Sequence, residues 1–243
     1  MRNYTYKLIL FLFIGTLIIS CSSNKTYKIT SPNKNNILTF DLTKSGAPQY
    51  KLSSNGKSVI EPSLLGFEFE GLQKMTEGFE VINTEQKTNN SQWNQPWGEF
   101  KTIKDNHNEL IVHLKESNGD QRLVDIIFRV FNDGLGFRYS FPKQPNLDKV
   151  KISNEITQFT FPFDNEVWWI PVHRENSYYE SFYRKTLMSK TDTINTPATF
   201  ETKDKLYLAI HEANLTDFAS MTLLKSGENQ YKSDFNYFFY THI

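Results

Sequence analysis

The alternation of side chains over residues 109–142 constrains the fold of this chain more than any other feature of its sequence. Three runs in this stretch carry apolar residues at every second position, as β-strands with one buried face do. Residues 117–120 (Ser-Asn-Gly-Asp) and 132–134 (Asn-Asp-Gly) separate the runs and are typical of tight turns. The pattern predicts an antiparallel meander. Its apolar positions are Leu110, Val112 and Leu114, then Val124, Ile126, Phe128 and Val130, then Leu135, Phe137, Tyr139 and Phe141.

Shorter runs of the same kind occur elsewhere, and apolar residues at helical spacing are nowhere sustained over three turns. Many short strands between turn signals favour a sandwich, in which two sheets bury their apolar faces against each other. The runs outnumber the about seven to nine strands of an immunoglobulin-type domain. We therefore expect an all-β fold, a large antiparallel β-sandwich, over residues 37–243. The shorter runs are Ile37–Leu42, Leu64–Phe69, Glu155–Phe161, Val167–Ile170, Leu206–His211 and Phe218–Leu223.

Residues 1–20 have the order of a secretory signal, a basic start followed by the apolar run Leu8–Ile19. This run is too short for a membrane-spanning helix, which needs about 20 apolar residues. Cys21, the only cysteine, follows Ile-Ile-Ser in a sequence that resembles the lipobox of bacterial lipoproteins. We expect lipidation at Cys21, attachment to a membrane in the periplasm or at the outer membrane, and a polar tether over residues 21–36.

Charge excludes a nucleic-acid partner. The chain has 27 basic and 27 acidic residues, and two of the basic ones, Arg2 and Lys7, lie in the signal. The basic residues are scattered among the acidic ones, whereas binding to phosphate backbones needs a concentrated basic face.

Common catalytic motifs are incomplete or absent in this sequence. His211-Glu212 opens like the zinc motif H-E-x-x-H, but position 215 is leucine, so the second histidine ligand is missing. The chain has no G-x-S-x-G elbow for a nucleophilic serine and no phosphate-binding glycine loop. Zinc hydrolysis by this motif and serine-elbow hydrolysis are therefore not expected.

A set of phrases in fixed order resembles the N-terminal domain of glycoside hydrolase family 97, a family of α-glucosidases and α-galactosidases. The resemblance covers roughly residues 29–224. Its phrases are Trp93-Asn-Gln-Pro-Trp-Gly-Glu99, Asn108-Glu-Leu110, Phe128-Arg-Val-Phe-Asn-Asp-Gly-Leu-Gly-Phe-Arg-Tyr139, Tyr179-Glu180, Thr196-Pro197 and Ala209-Ile-His-Glu-Ala-Asn-Leu-Thr-Asp-Phe-Ala-Ser-Met221.

The resemblance implies a galactose-mutarotase-like super-sandwich that precedes a catalytic (β/α)₈ barrel. It places both catalytic carboxylates on that barrel, and no alternation of strands and helices follows the sandwich in this chain. We therefore expect the chain alone to be inactive, with no catalytic residue of its own. The resemblance also implies that Glu212 is a calcium ligand whose partners come from the barrel. The implied substrate of the complete enzyme is an α-linked oligosaccharide.

Residues 174–199 have few strand signals, and we interpret them as a long surface excursion on which Tyr179 and Glu180 are candidates for substrate binding. The remaining residues of the family phrases are expected to have structural roles. We expect Asp133 and Gly134 to form a turn. Packing or ion pairing between sheets is expected for Trp97, Glu99, Arg129 and Arg138.

Two other functions are compatible with the sequence. A stand-alone lipoprotein of this kind could use its aromatic residues, which make up 15% of the chain, to hold sugars for other enzymes. An independent mutarotase-like enzyme would need a histidine and a glutamate as acid and base. His211 and Glu212 are adjacent on one predicted strand and would point to opposite faces, which disfavours that enzyme.

Overall fold

The computed structural model describes residues 25–145, 147, 150–173, 179–216 and 218–235. These residues form eighteen β-strands and one short 3₁₀ helix, Met188–Lys190. Every pairing between the described strands is antiparallel. The predicted all-β fold, a large antiparallel sandwich, is confirmed. In this part of the chain, no helix is both long and apolar enough to cross a membrane.

The largest sheet has eight strands, and it includes residues that the sequence assigned to the tether. Strand β1 covers Tyr27–Thr30, and Ser31 and Asn36, which follow it in sequence, are buried. The prediction that the tether extends to residue 36 is therefore wrong from Tyr27 onward. In spatial order the strands are β1 (Tyr27–Thr30), β2 (Asn36–Leu42), β3 (Pro48–Ser54), β4 (Lys57–Leu64), β11 (Gln158–Thr160), β18 (Gln230–Phe235), β17 (Met221–Gly227) and β14 (Ile194–Asn195).

The predicted meander forms a second sheet. The three expected strands are present, and Phe131 closes the predicted turn by donating its backbone N–H to the Gly134 carbonyl at 2.8 Å. A fourth strand that the sequence reading missed pairs with the first of them and forms a long hairpin with it. In order, the strands are β6 (Phe79–Asn94), β7 (Thr102–Glu116), β8 (Leu123–Phe131) and β9 (Leu135–Ser140).

A third, four-stranded sheet corrects the prediction of a surface excursion over residues 174–199. Much of that stretch, from Arg184 onward, forms strands and the 3₁₀ helix, and Met188 is fully buried. The strands of this sheet, in order, are β13 (Arg184–Leu187), β12 (Glu166–Trp169), β15 (Ala198–Glu201) and β16 (Tyr207–Ile210). A separate pair consists of β5 (Phe67–Phe69) and β10 (Ile152–Glu155).

Aromatic rings join these sheets into one core. Phe40 on β2 packs against Phe128 on β8, with ring centroids 5.9 Å apart, and so links the large sheet to the meander. Phe200 on β15 packs against Tyr231 on β18 at 5.7 Å and links the large sheet to the third sheet. All four residues are fully buried. Each contact therefore lies in the interior, where both packing and the burial of apolar surface stabilise the fold.

One ion pair is buried with the core. Arg122 is 1% exposed and donates from Nε and one terminal nitrogen to the two carboxylate oxygens of Glu116, at 2.7 and 2.6 Å. The same terminal nitrogen donates to the Gln73 carbonyl at 2.8 Å. Two parallel bonds between a guanidinium and a carboxylate fix the geometry of both groups and compensate for the water that they lose.

Candidate functional site

Glu212 lies where the chain leaves the third sheet. Strand β16 is an edge strand of that sheet, and Leu208 and Ile210 pack towards the core while Tyr207 points outward. The chain continues directly into His211 and Glu212, and the His211 Nδ1 atom lies 2.9 Å from the Glu212 carbonyl oxygen. Glu212 is only partly buried, so water still reaches its side chain at this edge of the sheet.

A second carboxylate, that of Glu155, lies within electrostatic range of Glu212. Glu155 is the last residue of β10 and pairs with Phe67 of β5. The Thr157 hydroxyl donates a hydrogen bond to Glu155, and the Tyr139 hydroxyl lies 2.7 Å from Thr157. Burial raises the pKa of Glu155 to about 7, and the nearby charge of Glu212 adds to this, against the opposing effect of the Thr157 hydrogen bond.

This pair of glutamates is suited to a cation. No ion pair among the described residues joins Glu155 or Glu212 to a lysine or arginine. Hard carboxylate oxygens are the ligands that calcium prefers, but calcium takes about six to eight of them. Within the described part of the chain, no three acidic, histidine or cysteine side chains converge on one point. A complete calcium shell here would therefore need ligands from another domain or from water.

The family model described as "Glycosyl-hydrolase 97 N-terminal" matches residues 29–239, which is most of the chain. The chain belongs to this family.

Solved structures agree with this assignment. A glycoside hydrolase family 97 enzyme from Pseudoalteromonas sp. strain K8, solved in complexes with panose and with acarbose, is 33% identical and superposes with a TM-score of 0.82. The match covers 86% of this chain and 32% of that enzyme. A β-arabinopyranosidase superposes with a TM-score of 0.77 at 21% identity, which shows a shared fold.

A curated relative gives the same picture. The chain is 26% identical to a "Probable retaining alpha-galactosidase" of Streptomyces bingchenggensis over 179 residues, which are 74% of this chain and 27% of the relative. The chain therefore spans about a quarter to a third of the relatives that it matches, and corresponds to the N-terminal domain of family 97 enzymes.

Two other residues of this family 97 domain, Tyr179 and Glu180, were predicted to bind substrate. The Tyr179 hydroxyl donates to the Thr196 carbonyl at 2.8 Å, which fastens it to the segment that enters β15. Burial raises the pKa of Tyr179, and the neighbouring Tyr183 adds to the shift. Glu180 is exposed. Among the described residues, no hydrogen bond or ion pair joins Tyr179 to Glu212. Cys21 lies outside the described residues.

The expected packing roles in the family phrases are partly wrong. Trp97 is 85% exposed at the end of the β6–β7 hairpin, and Glu99 and Arg138 are exposed as well. Arg129 does form an ion pair, with 2.7 Å between its Nε and Glu109, but it joins neighbouring strands of one sheet and 47% of its side chain is exposed. Trp97 and Glu99 lie in the turn that connects β6 to β7, and Arg138 lies on β9.

Glu155 was missed by the sequence reading. The sequence predicts only a strand at this position, and Glu155 belongs to none of the family phrases. Glu212 is far away in sequence, and only the fold brings its charge within electrostatic range of Glu155. The residue that could be found from sequence was Glu212, because it belongs to a family phrase.

Proposed function

We propose that this chain is the non-catalytic N-terminal domain of an exported α-glycosidase, which supports a catalytic barrel and supplies Glu212 as a calcium ligand. The observation that carries the calcium role is the Glu155–Glu212 pair, two carboxylates within electrostatic range of each other and without a cationic partner among the described residues. When bound, calcium would neutralise these charges and supply a positive charge beside the substrate.

The chain's own residues would position that ion. Glu212 would provide a ligand oxygen from the sheet edge, and Glu155, held by the Thr157 hydroxyl, would lie behind it as the second negative group. Further oxygen ligands would come from the barrel, because the described residues do not supply the number that calcium takes. The proposed substrate of the complete enzyme is an α-linked oligosaccharide, in line with the panose and acarbose complexes of the Pseudoalteromonas relative.

The decisive experiment uses a full-length family 97 relative rebuilt around this domain, with Glu212→Gln, which keeps the shape of the side chain and removes its charge. Calcium affinity should fall by about 10- to 100-fold, and kcat should fall with it. Glu80→Gln, an exposed glutamate on β6, is the matched control and should leave both unchanged. If a folded Glu212→Gln enzyme keeps normal calcium affinity and kcat, Glu212 is not a ligand.

The chain alone should be inactive. The purified 243-residue protein should not release the aryl group of an aryl α-glucoside or α-galactoside, because the proposal places both catalytic carboxylates on the barrel. Turnover that is abolished by mutating a residue of this chain would contradict the proposal.

Export and anchoring are proposed from the N-terminal sequence. Lipidated at Cys21, the domain would be held at a membrane of the cell envelope by its acyl chains. Replacement of Cys21 by alanine should release the protein from the membrane fraction, and unchanged retention in that fraction would contradict lipidation.

A further inference from the structure

A polar groove crosses the outer face of the meander sheet, away from the face that packs on the core. It has a volume of about 360 Å³, within the range of about 300–1,000 Å³ that small-molecule sites occupy. Strands β6, β7 and β8 supply its walls. The lining residues are Lys87, Thr88, Asn89, Ser91, Asp105, His107, Glu109 and Arg129.

The pairing register explains why the odd-numbered residues of this lining meet on one face. Asn89 pairs with His107 and Ser91 with Asp105, and alternate residues of a strand point to the same face. Trp93 is two residues beyond Ser91 and so lies on the same face. It is 53% exposed. With a rise of about 3.4 Å per residue, the face extends about 20 Å from Lys87 to Trp93, which is long enough for several linked sugar rings.

The base of this hairpin is held to the rest of the domain, so the groove has a rigid floor. The Asn108 side chain donates to the Thr30 carbonyl at 2.8 Å, and the Gln86 side chain donates to the Lys28 carbonyl at 3.3 Å. Both bonds leave from the opposite face of the hairpin and reach β1. The strands that carry the groove are therefore anchored on their inner side.

His107 is the buried polar group of the groove. Only 4% of its side chain is exposed, its Nδ1 lies 2.6 Å from Asp105, and its ring packs 4.9 Å from that of Phe131. Among the residues that the structure describes, Nε2 of the same ring has no hydrogen-bond partner. Nε2 is not one of the fully buried atoms that lack a partner, so water or a guest can reach it, and the wall of the groove offers a hydrogen-bonding position there.

The charges of the lining favour a neutral guest. Arg129 is paired with Glu109 at 2.7 Å, and Lys87 is paired with Glu85 at 2.9 Å, so neither cation is left over for an anion. The remaining lining groups mix donors and acceptors. A ligand with hydroxyl groups, each of which donates and accepts, matches such a surface.

We infer that this groove binds a neutral oligosaccharide, with Trp93 as the stacking platform at its outer end and His107, Asn89 and Arg129 as hydrogen-bonding groups. The apolar face of a sugar ring stacks on an exposed indole, while its hydroxyl groups reach the polar side chains of the groove. The site lies on different elements from Glu212, so it does not depend on the calcium role proposed above.

The test is a calorimetric titration of the purified chain with panose, an oligosaccharide that a family 97 relative binds. Trp93→Ala and Arg129→Ala should each weaken binding by about tenfold. Trp97→Ala removes the same kind of side chain from the same hairpin but outside the groove, and should change the affinity less than about twofold. Glu212→Gln should also bind normally, which separates this site from the calcium site. Circular dichroism would verify that each variant is folded.

Three results would overturn the inference. The wild-type chain could fail to bind panose at millimolar concentrations, or Trp97→Ala could weaken binding as much as Trp93→Ala. In the third, inorganic phosphate would compete with panose for the groove, which would show an anion site and not a sugar site.

Discussion

Glu201 and Glu155 each end a strand, but their surroundings differ in charge. Lysines surround Glu201, whereas another carboxylate, that of Glu212, lies within electrostatic range of Glu155. At the end of β15, the Glu201 carboxylate accepts bonds from Lys205 at 2.5 Å and Lys185 at 3.0 Å. These two bonds, first from Lys205 and then from Lys185, lower its pKa to about 2. At the end of β10, burial and the charge of Glu212 raise the pKa of Glu155 to about 7.

The difference separates structural carboxylates from a site that can receive a cation. Glu201 and Glu116 already have positive partners from the chain itself, Lys205 and Arg122, so a metal ion would gain little at either place. The charges of Glu155 and Glu212 repel each other, and neither residue has such a partner among the described residues. A glutamate is therefore a candidate ligand because of what is missing around it, not because of its residue type.

The largest expected effect on stability comes from removing the cation of the buried ion pair between Arg122 and Glu116. Arg122→Ala should destabilise the domain by about 3–5 kcal/mol, because it leaves the Glu116 carboxylate buried without its partner. Urea denaturation of the purified chain measures this loss. Arg129→Ala is the control, since 47% of the Arg129 side chain is exposed, and its removal should cost less than about 1 kcal/mol. Equal losses for the two variants would show that burial does not decide the cost.

A middle-sized effect, dependent on pH, should follow from Glu155→Gln. Because the folded pKa of Glu155 lies above the value of 4.5 expected for the unfolded chain, wild-type stability falls as pH rises from 4.5 to about 7 and then stays constant. Glutamine removes this penalty and can still accept the Thr157 hydrogen bond. At pH 8 in calcium-free buffer the variant should be more stable by up to about 3 kcal/mol, and below pH 4.5 it should equal wild type.

Glu201→Gln is the matched comparison and should show the opposite sign. The folded pKa of Glu201 is lowered, so its contribution to stability is present above pH 4.5 and is lost as pH falls towards 2. This variant should therefore be less stable than wild type at pH 7, and the difference should shrink in acid. Parallel urea denaturation series at pH 3, 5 and 8 would measure both variants. The same pH dependence in both would contradict the assigned surroundings.

The smallest effect is expected at an exposed pair. Lys57 and Asp204 lie 2.6 Å apart, but their side chains are 67% and 65% exposed. Lys57→Ala should change the free energy of unfolding by less than about 0.5 kcal/mol, because solvent screens the pair. A larger loss in the same urea denaturation assay would mean that Lys57 does more than pair with Asp204.

The sequence predicted those strands in which a short segment shows apolar alternation. Strands β7, β8 and β9 were found because apolar residues alternate in them and tight turns separate them. Strand β6 was missed because, after Phe79, most of its residues are exposed or partly buried on both faces and show no apolar alternation. The structure shows that β6 pairs with β7 along the whole hairpin. Without the register of that pairing, the polar groove and the position of Trp93 beside it could not be predicted.

The sequence by itself determined the family, the all-β class, and the phrase that contains Glu212. These features are local, because alternation, turn residues and motif residues act within one short segment. Only the tertiary structure decided that β1 belongs to the fold, that the charge of Glu212 acts on Glu155, and that lysines neutralise Glu201. Charge interactions and the loss of water depend on distances in space, and residues far apart in the chain set those distances once the sheets have packed.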